Sequence, residues 1–336
     1  MKPLFQGVCT ALVTPFRLDF VHLEVYDQLL DRQLRAGVTA LVVCGTTGES
    51  ATMTDTERLD LIGHTVDYVR GRCKVIAGTG SNATTHAITL SKEAEKLGAD
   101  GLLLVSPYYN KATEAGLIAH YTAIGDQVHL PCIVYNVPSR TGVNIPVSVY
   151  QALSHHPNFC GVKEASGDIV KIARIRQACG PEFSVWSGND DQVVPVMALG
   201  GHGIISVVSN LYPETMVRLA ALCMAGRYRE AANLQAALMP AIDALFCEVN
   251  PIPIKAALRL SGLDVGHCRL PLTDPTPEHL ELLKQMVGAT VRTEPQENHT
   301  DPGTPLRLPK SLSLDRFSFG SGRFLNPGRS PAQQIL

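Results

Sequence analysis

Short apolar runs alternate with amphipathic stretches over most of this chain. Eight runs read as strands: Gly7–Thr14, Thr39–Cys44, Cys73–Gly78, Gly101–Ser106, Cys132–Asn136, Cys160–Lys163, Phe183–Ser187 and Gly203–Val207. They are apolar at successive positions, which predicts strands buried on both faces, as in a parallel sheet wrapped by helices. Between them lie helical periods. Asp55–Arg70 carries Leu59, Ile62, Val66 and Val69 on one face, and Thr84–Leu97 carries Ala87, Leu90, Ala94 and Leu97. Gly98-Ala99-Asp100 stops the second helix and turns into the next strand. Eight strand–helix units in about 225 residues predict an α/β fold of the (β/α)8 TIM-barrel kind. The alternative is an open doubly wound sheet. That fold more often carries G-x-G-x-x-G after its first strand, where this chain reads Val13-Thr14-Pro15-Phe16.

After the eighth run the pattern is helical to about Gly288: Pro213–Ala225, Tyr228–Glu248, Ile254–Ser261 and Glu278–Val287. The expected division is a catalytic barrel over 1–212, a C-terminal helical region over 213–288 and a tail over 289–336. Residues 290–336 hold six prolines, many Ser, Gly and Arg, and no sustained apolar period. Such a segment buries too little apolar surface to offset its ordering entropy, so the tail is expected to be disordered. A partner-binding tail is the sharper alternative.

Composition narrows the function classes. With 336 residues, 45% hydrophobic and 18% charged, the chain has the make-up of an ordinary soluble protein. A net charge of −2 points to neither nucleic acid nor an anionic membrane as partner. Nine scattered cysteines without a C-x-x-C pair argue for a reducing, cytoplasmic setting. No run is long enough to span a bilayer, and the apolar start is broken by Gly7 and Pro15, so it reads as a strand rather than a signal peptide. The eleven histidines form no H-E-x-x-H and no cluster with ligand spacing, so no catalytic metal is expected.

In a barrel of this kind the active site forms at the C-terminal ends of the strands. Those ends read Gly45-Thr46-Thr47-Gly48-Glu49-Ser50, Gly78-Thr79-Gly80-Ser81-Asn82, Pro107-Tyr108-Tyr109-Asn110, Tyr135 through Gly142, Lys163, Gly188-Asn189-Asp190 and Ile205-Ser206. Hydroxyls, one arginine and one lysine converge on one mouth, which suits carbonyl chemistry on a small carboxylate. Lys163 is the pivot. A lysine at a strand end is ordinarily a surface residue. Burial in company like this lowers the pKa of an amine and frees it for a Schiff base with a carbonyl substrate. Gly45–Ser50 has a plainer reading as a turn, whose backbone N–H groups would bind any anion.

These motifs together resemble the dihydrodipicolinate synthase family, also called 4-hydroxy-tetrahydrodipicolinate synthase, within the pyruvate-dependent Schiff-base aldolases. The resemblance covers about residues 4–288. It rests on G-T-T-G-E-S, P-Y-Y-N-K, Y-N-V-P-S-R-T-G, G-V-K-E-A-S-G, S-G-N-D, and N-P-I-P-I-K at Asn250–Lys255. It implies condensation of pyruvate with L-aspartate 4-semialdehyde, with no cofactor beyond a covalent imine on Lys163. Thr46 and Thr47 would hold the pyruvate carboxylate. Tyr135 would shuttle protons, with Thr47 and a neighbouring subunit's copy of the tyrosine at position 109, Tyr109, completing the relay. Arg140 would grip the carboxylate of the aldehyde substrate, and Gly188 and the backbone of Ile205 would line the pocket. A loop-stabilising ion pair is the plainer role for Arg140. A homotetramer, built as a dimer of dimers, is implied, with no nucleic-acid or membrane partner.

The family's feedback cleft for lysine would match Ser50, Ala51, Asn82, His86 and Tyr108. Sensitive bacterial members carry glutamate where this chain has His86, and histidines where it has Asp55 and Arg58. Histidine supplies no anion for the ammonium of lysine, so weak or no inhibition is expected. Two rival functions stay open. One is another pyruvate-type lyase, acting on N-acetylneuraminate, a 2-keto-3-deoxy sugar acid or 4-hydroxy-2-oxoglutarate. The other is a catalytically silent paralogue that binds a keto acid. Arg140 disfavours the sugar acids, because N-acetylneuraminate lyases lack an arginine there. The set Thr47, Tyr109, Tyr135 and Lys163 disfavours the silent paralogue.

Overall fold

In a computed structural model of the chain, eight parallel strands close into a barrel: β1 Gly7–Ala11, β2 Ala40–Val43, β3 Lys74–Gly78, β4 Gly101–Val105, β5 Cys132–Asn136, β6 Phe159–Glu164, β7 Ser184–Ser187 and β8 Gly203–Ser206. The structure describes residues 3–291, with side chains through residue 288. Each strand pairs with its sequence neighbours, and β8 closes on β1 through Gly7↔Gly203 to Thr10↔Ser206. This is the (β/α)8 barrel expected from the alternation, with helices between the strands. The strands are apolar throughout because one face fills the barrel and the other meets the helices. The inner set includes Cys9, Val42, Ile76, Leu103, Ile133, Tyr135, Trp186 and Ile205. Phe5, two residues ahead of β1, stacks on Trp186 with ring centres 4.7 Å apart and closes the N-terminal end.

The helix Asp55–Val69 starts at a capping box between Thr54 and Glu57. Its buried face differs from the expected stripe. Arg58, Leu61, Ile62, Thr65 and Val69 face inward, while Leu59 and Val66 are only half-buried. The physical reason is Arg58, whose Nη2 donates to the Gly78 carbonyl at 2.8 Å and turns a charged position into the core. The helix Thr84–Lys96 buries Ala87, Leu90 and Ala94 as expected, and Leu97 becomes its exposed cap. A short antiparallel hairpin, Phe16–Arg17 with Phe20–Val21, carries no apolar alternation and was not expected.

Pro213–Met224 packs on β1 and on the helix Leu23–Ala36. Tyr228–Leu245, Ile252–Leu260 and Pro277–Val291 follow. Residues Met1–Gly288 make one compact unit. From residue 292 on, the tail expected to be disordered lies outside the described residues. Among the described residues no helix is long and apolar enough to cross a membrane. All nine cysteines are free thiols.

Candidate active site

Lys163 is the penultimate residue of β6 and is 5% exposed. It sits in register with Tyr135 on β5 and Trp186 on β7. Its Nζ lies 4.2 Å from the centre of the Tyr135 ring. Gly188 makes room for it: a Cβ there would come within 2.6 Å of the Ala165 Cβ and 3.2 Å of the Lys163 Cε. Ile205 on β8 is fully buried in the same inner wall.

Among the described residues two other lysines are buried, and both carry carboxylate partners. Lys255 Nζ lies 2.7 Å from Glu49 Oε1, and Lys171 Nζ 3.4 Å from Glu164 Oε2. Burial pushes the pKa of each ammonium down and its carboxylate pulls it back up. Lys163 has no ion-pair partner among the described residues. A buried amine without a carboxylate has no salt bridge to break before it can attack a carbonyl.

Behind Lys163 its neighbour Glu164 is fully engaged. Glu164 Oε1 accepts from Asn136 Nδ2 and from the Ser166 N–H, each at 2.8 Å, and Oε2 accepts from the Tyr150 hydroxyl at 3.2 Å. This network locks the ends of β5 and β6, and with them the relative placement of Tyr135 and Lys163. On the far side Asp190 is buried. Its Oδ1 accepts from Ser206 Oγ at 2.5 Å and its Oδ2 from the Val207 N–H at 3.0 Å. Burial raises its carboxyl to about 6, against the pull of these donors and the positive charge of Lys163.

Thr47 is 2% exposed, in the turn after β2, and Thr46 beside it is half-buried. The N–H groups of Gly48 and Glu49 donate to the carbonyls of Gly45 and Thr46. Cys44 and Glu49 at the two ends of this turn are left-handed, with φ of 55° and 56°. Such conformations cost roughly 1–3 kcal/mol each and persist only where the surroundings enforce them. At Glu49 the enforcing group is Lys255, which also donates to the carbonyls of Thr14 and His267, while the Arg269 N–H donates to Glu49 Oε2.

Arg140 is exposed, and its Nη2 donates to the Asn250 carbonyl at 3.0 Å. Asn250 Nδ2 donates to Thr47 Oγ1, also at 3.0 Å, so one residue joins the two. Tyr109 is not part of this buried set. It is left-handed at φ 72° and 91% exposed. In the expected regulatory cleft, Asn82 Nδ2 donates to the Tyr108 carbonyl, and Ser50 and Ala51 begin the turn that leads to Asp55. His86 Nε2 contacts Asp55 Oδ2 at 2.9 Å, and its Nδ1 contacts Ser81 Oγ at 3.1 Å. Asp55 also lies 3.7 Å from Arg58.

Reading the sequence for site residues missed the work of Asn250, Lys255, Glu49 and Glu164. The signal was present in the N-P-I-P-I-K run, which carries two polar residues among prolines and isoleucines. Among the described residues no group of three His, Cys, Asp or Glu side chains could hold a metal ion.

Known proteins resemble this chain over most of its length. The profile of the Dihydrodipicolinate synthetase family matches residues 4–290. A 4-hydroxy-tetrahydrodipicolinate synthase of Caldicellulosiruptor saccharolyticus is 50% identical over 284 residues, covering 84% of this chain and 96% of that protein. The crystal structure of dihydrodipicolinate synthase from Thermotoga maritima superposes with a TM-score of 0.83 at 44% identity, covering 85% of this chain and 98% of that one. A structure of the enzyme from Cyanidioschyzon merolae with lysine bound has a TM-score of 0.82 at 42% identity, covering 84% and 97%. With a matching profile along nearly the whole barrel and relatives at half identity, this chain belongs to the dihydrodipicolinate synthetase family.

Proposed function

We propose that this chain is a lyase, a 4-hydroxy-tetrahydrodipicolinate synthase, that joins pyruvate to L-aspartate 4-semialdehyde through a Schiff base on Lys163. The observation that carries this reading is a buried, unpaired lysine against a tyrosine ring at the mouth of a barrel.

The Lys163 amine adds to the ketone carbon of pyruvate, and water leaves as the imine forms. The imine draws a proton from the methyl group and becomes an enamine, so the lysine itself supplies the electron sink that such chemistry otherwise takes from a cofactor. The enamine carbon attacks the aldehyde, a C–C bond forms, and the aldehyde oxygen takes a proton. The substrate amino group then attacks the imine carbon, closes the ring and expels the lysine amine. Tyr135 moves the protons, linked through Thr47 to Tyr109 of the partner subunit. A relay suits groups whose ordinary pKa, near 10, makes each a poor acid or base alone. The backbone N–H groups of Thr46 and Thr47 hold the pyruvate carboxylate, Arg140 holds that of the second substrate, and Gly188 and Ile205 shape the wall. The exposure of Tyr109 supports its use in a second subunit, and we extend this to a dimer of dimers. The His86 cleft, with Ser50, Ala51, Asn82 and Tyr108, is the proposed lysine site. Nine free thiols suit a reducing compartment such as the cytoplasm.

The test is a steady-state assay with pyruvate and a panel of aldehydes. Turnover is expected with aspartate 4-semialdehyde and not with sugar aldehydes or glyoxylate. Preference for either of the latter would move the chain to another branch of the aldolases.

A further inference from the structure

The run Asn250-Pro251-Ile252-Pro253-Ile254-Lys255 lies against the loops of the mouth. Asn250 is 7% exposed, between the end of Tyr228–Leu245 and the helix Ile252–Leu260. Its Nδ2 donates to Thr47 Oγ1, its backbone carbonyl accepts from Arg140, and its Oδ1 is buried with no partner among the described residues. Five residues on, Lys255 clamps Glu49, in the same turn as Thr47. One short segment therefore fixes both the backbone of that turn and its hydroxyl.

An amide N–H can only donate. A threonine hydroxyl has two lone pairs and one proton. Once Asn250 fills one lone pair, a single acceptor position and a single proton are left. We propose that Asn250 is a positioning residue that sets the direction of the Thr47 hydroxyl. Its second lone pair takes the phenol proton of Tyr109 of the partner subunit, and its own proton points to Tyr135. Protons then pass from the outer tyrosine to the inner one, and each O–H bond broken along the chain is replaced by one formed. Without Asn250 the hydroxyl rotates freely and offers either end. Through its backbone carbonyl the same residue ties this setting to Arg140. The inference rests on the proposed relay.

The test compares two variants. Asn250→Asp keeps the size but replaces the donor with an acceptor, so Thr47 must turn its proton to the carboxylate. Asn250→Ala removes the donor and leaves the hydroxyl free to turn. The expected result is a fall in kcat on the order of a hundredfold for Asn250→Asp, with a smaller fall for Asn250→Ala. Packing alone predicts the reverse order, because the Asp variant conserves shape. The Asn250→Asp loss should ease at lower pH, where a protonated acid donates again. KM for pyruvate and borohydride trapping of pyruvate should stay near wild type in both. A second measurement covers poor folding of the Asp variant: adding Asn250→Ala to Thr47→Val should leave kcat unchanged, since the only route of action has gone. Asn250→Asp at or above the activity of Asn250→Ala, or additive losses in the Thr47 pair, would overturn the proposal. Absence of pyruvate trapping in the wild type would overturn the Schiff-base reading itself, and this proposal with it.

Discussion

Lys163 and Tyr135 stand in register on neighbouring strands, with the lysine Nζ 4.2 Å from the centre of the tyrosine ring. Their spacing is set by backbone ladders and by the Glu164 network rather than by a mobile loop. The proposed nucleophile and proton carrier are thus held before any substrate arrives. Preorganisation of this kind lowers the barrier without reorganisation at the moment of reaction.

Arg140 is the proposed discriminator between substrates. Arg140→Ala should reduce kcat/KM for aspartate 4-semialdehyde roughly ten- to hundredfold, the loss of a charge-assisted contact of about 1.5–3 kcal/mol. Pyruvate trapping should be spared. Its contact with the Asn250 carbonyl uses one N–H of the guanidinium and leaves others for a ligand. Equal damage to both substrates would make that structural contact its whole role.

Tyr109 should act across a subunit boundary. Tyr109→Ala and Lys163→Ala proteins, each inactive alone, should regain activity when their subunits are mixed and allowed to exchange. Random two-fold pairing sets the ceiling at about a quarter of wild type. No recovery in mixtures shown to have exchanged would place the tyrosine outside the relay.

L-Lysine at millimolar concentration should inhibit weakly. The carboxylate in the cleft is Asp55, which already faces His86 at 2.9 Å and Arg58 at 3.7 Å. An anion with two cationic or donor neighbours attracts an added ammonium poorly. His86→Glu should strengthen inhibition in initial-rate assays. Strong inhibition of the native protein, or none gained by the variant, would contradict this account of the cleft.

Asp190 should give the fold a pH signature. Burial raises its carboxyl from the usual 3.8 to about 6, so the folded chain binds that proton more tightly than the unfolded one. The associated stability is full below about pH 4 and is lost as pH rises through about 6, an effect of about 3 kcal/mol. Facing the carboxylate are the Ser206 hydroxyl, the N–H groups of Val207 and Val208, and the charge of Lys163, all of which oppose the shift. Urea unfolding of wild type and Asp190→Asn at about pH 5 and pH 7.5 should show the pH difference shrinking by about half that amount in the variant, because at pH 5 the carboxyl of the unfolded chain has already ionised. Parallel curves would refute it.

The barrel was legible because its strands are apolar on both faces, a pattern that few folds require. The hairpin was not, since Leu18 and Phe20 point to solvent and carry no burial signal. The inward face of Asp55–Val69 was misjudged because Arg58 enters the core for one hydrogen bond, which no apolar count registers. In the site, Lys163, Tyr135, Thr47 and Arg140 stood out by chemistry at strand ends. Asn250 and Lys255 could be seen only as a motif. Their partners lie 203 and 206 residues away, and sequence spacing carries no information about contacts of that range.

The central claim is that Lys163 is the nucleophile. The direct measurement is borohydride reduction in the presence of pyruvate, followed by intact-mass and peptide analysis. The account predicts one pyruvate-derived mass per chain, on the peptide that carries Lys163. It predicts none in Lys163→Ala, which should keep its fold because removing that amine leaves no unpaired buried charge behind. An adduct on another lysine, or no adduct in a protein that turns over both substrates, would contradict it.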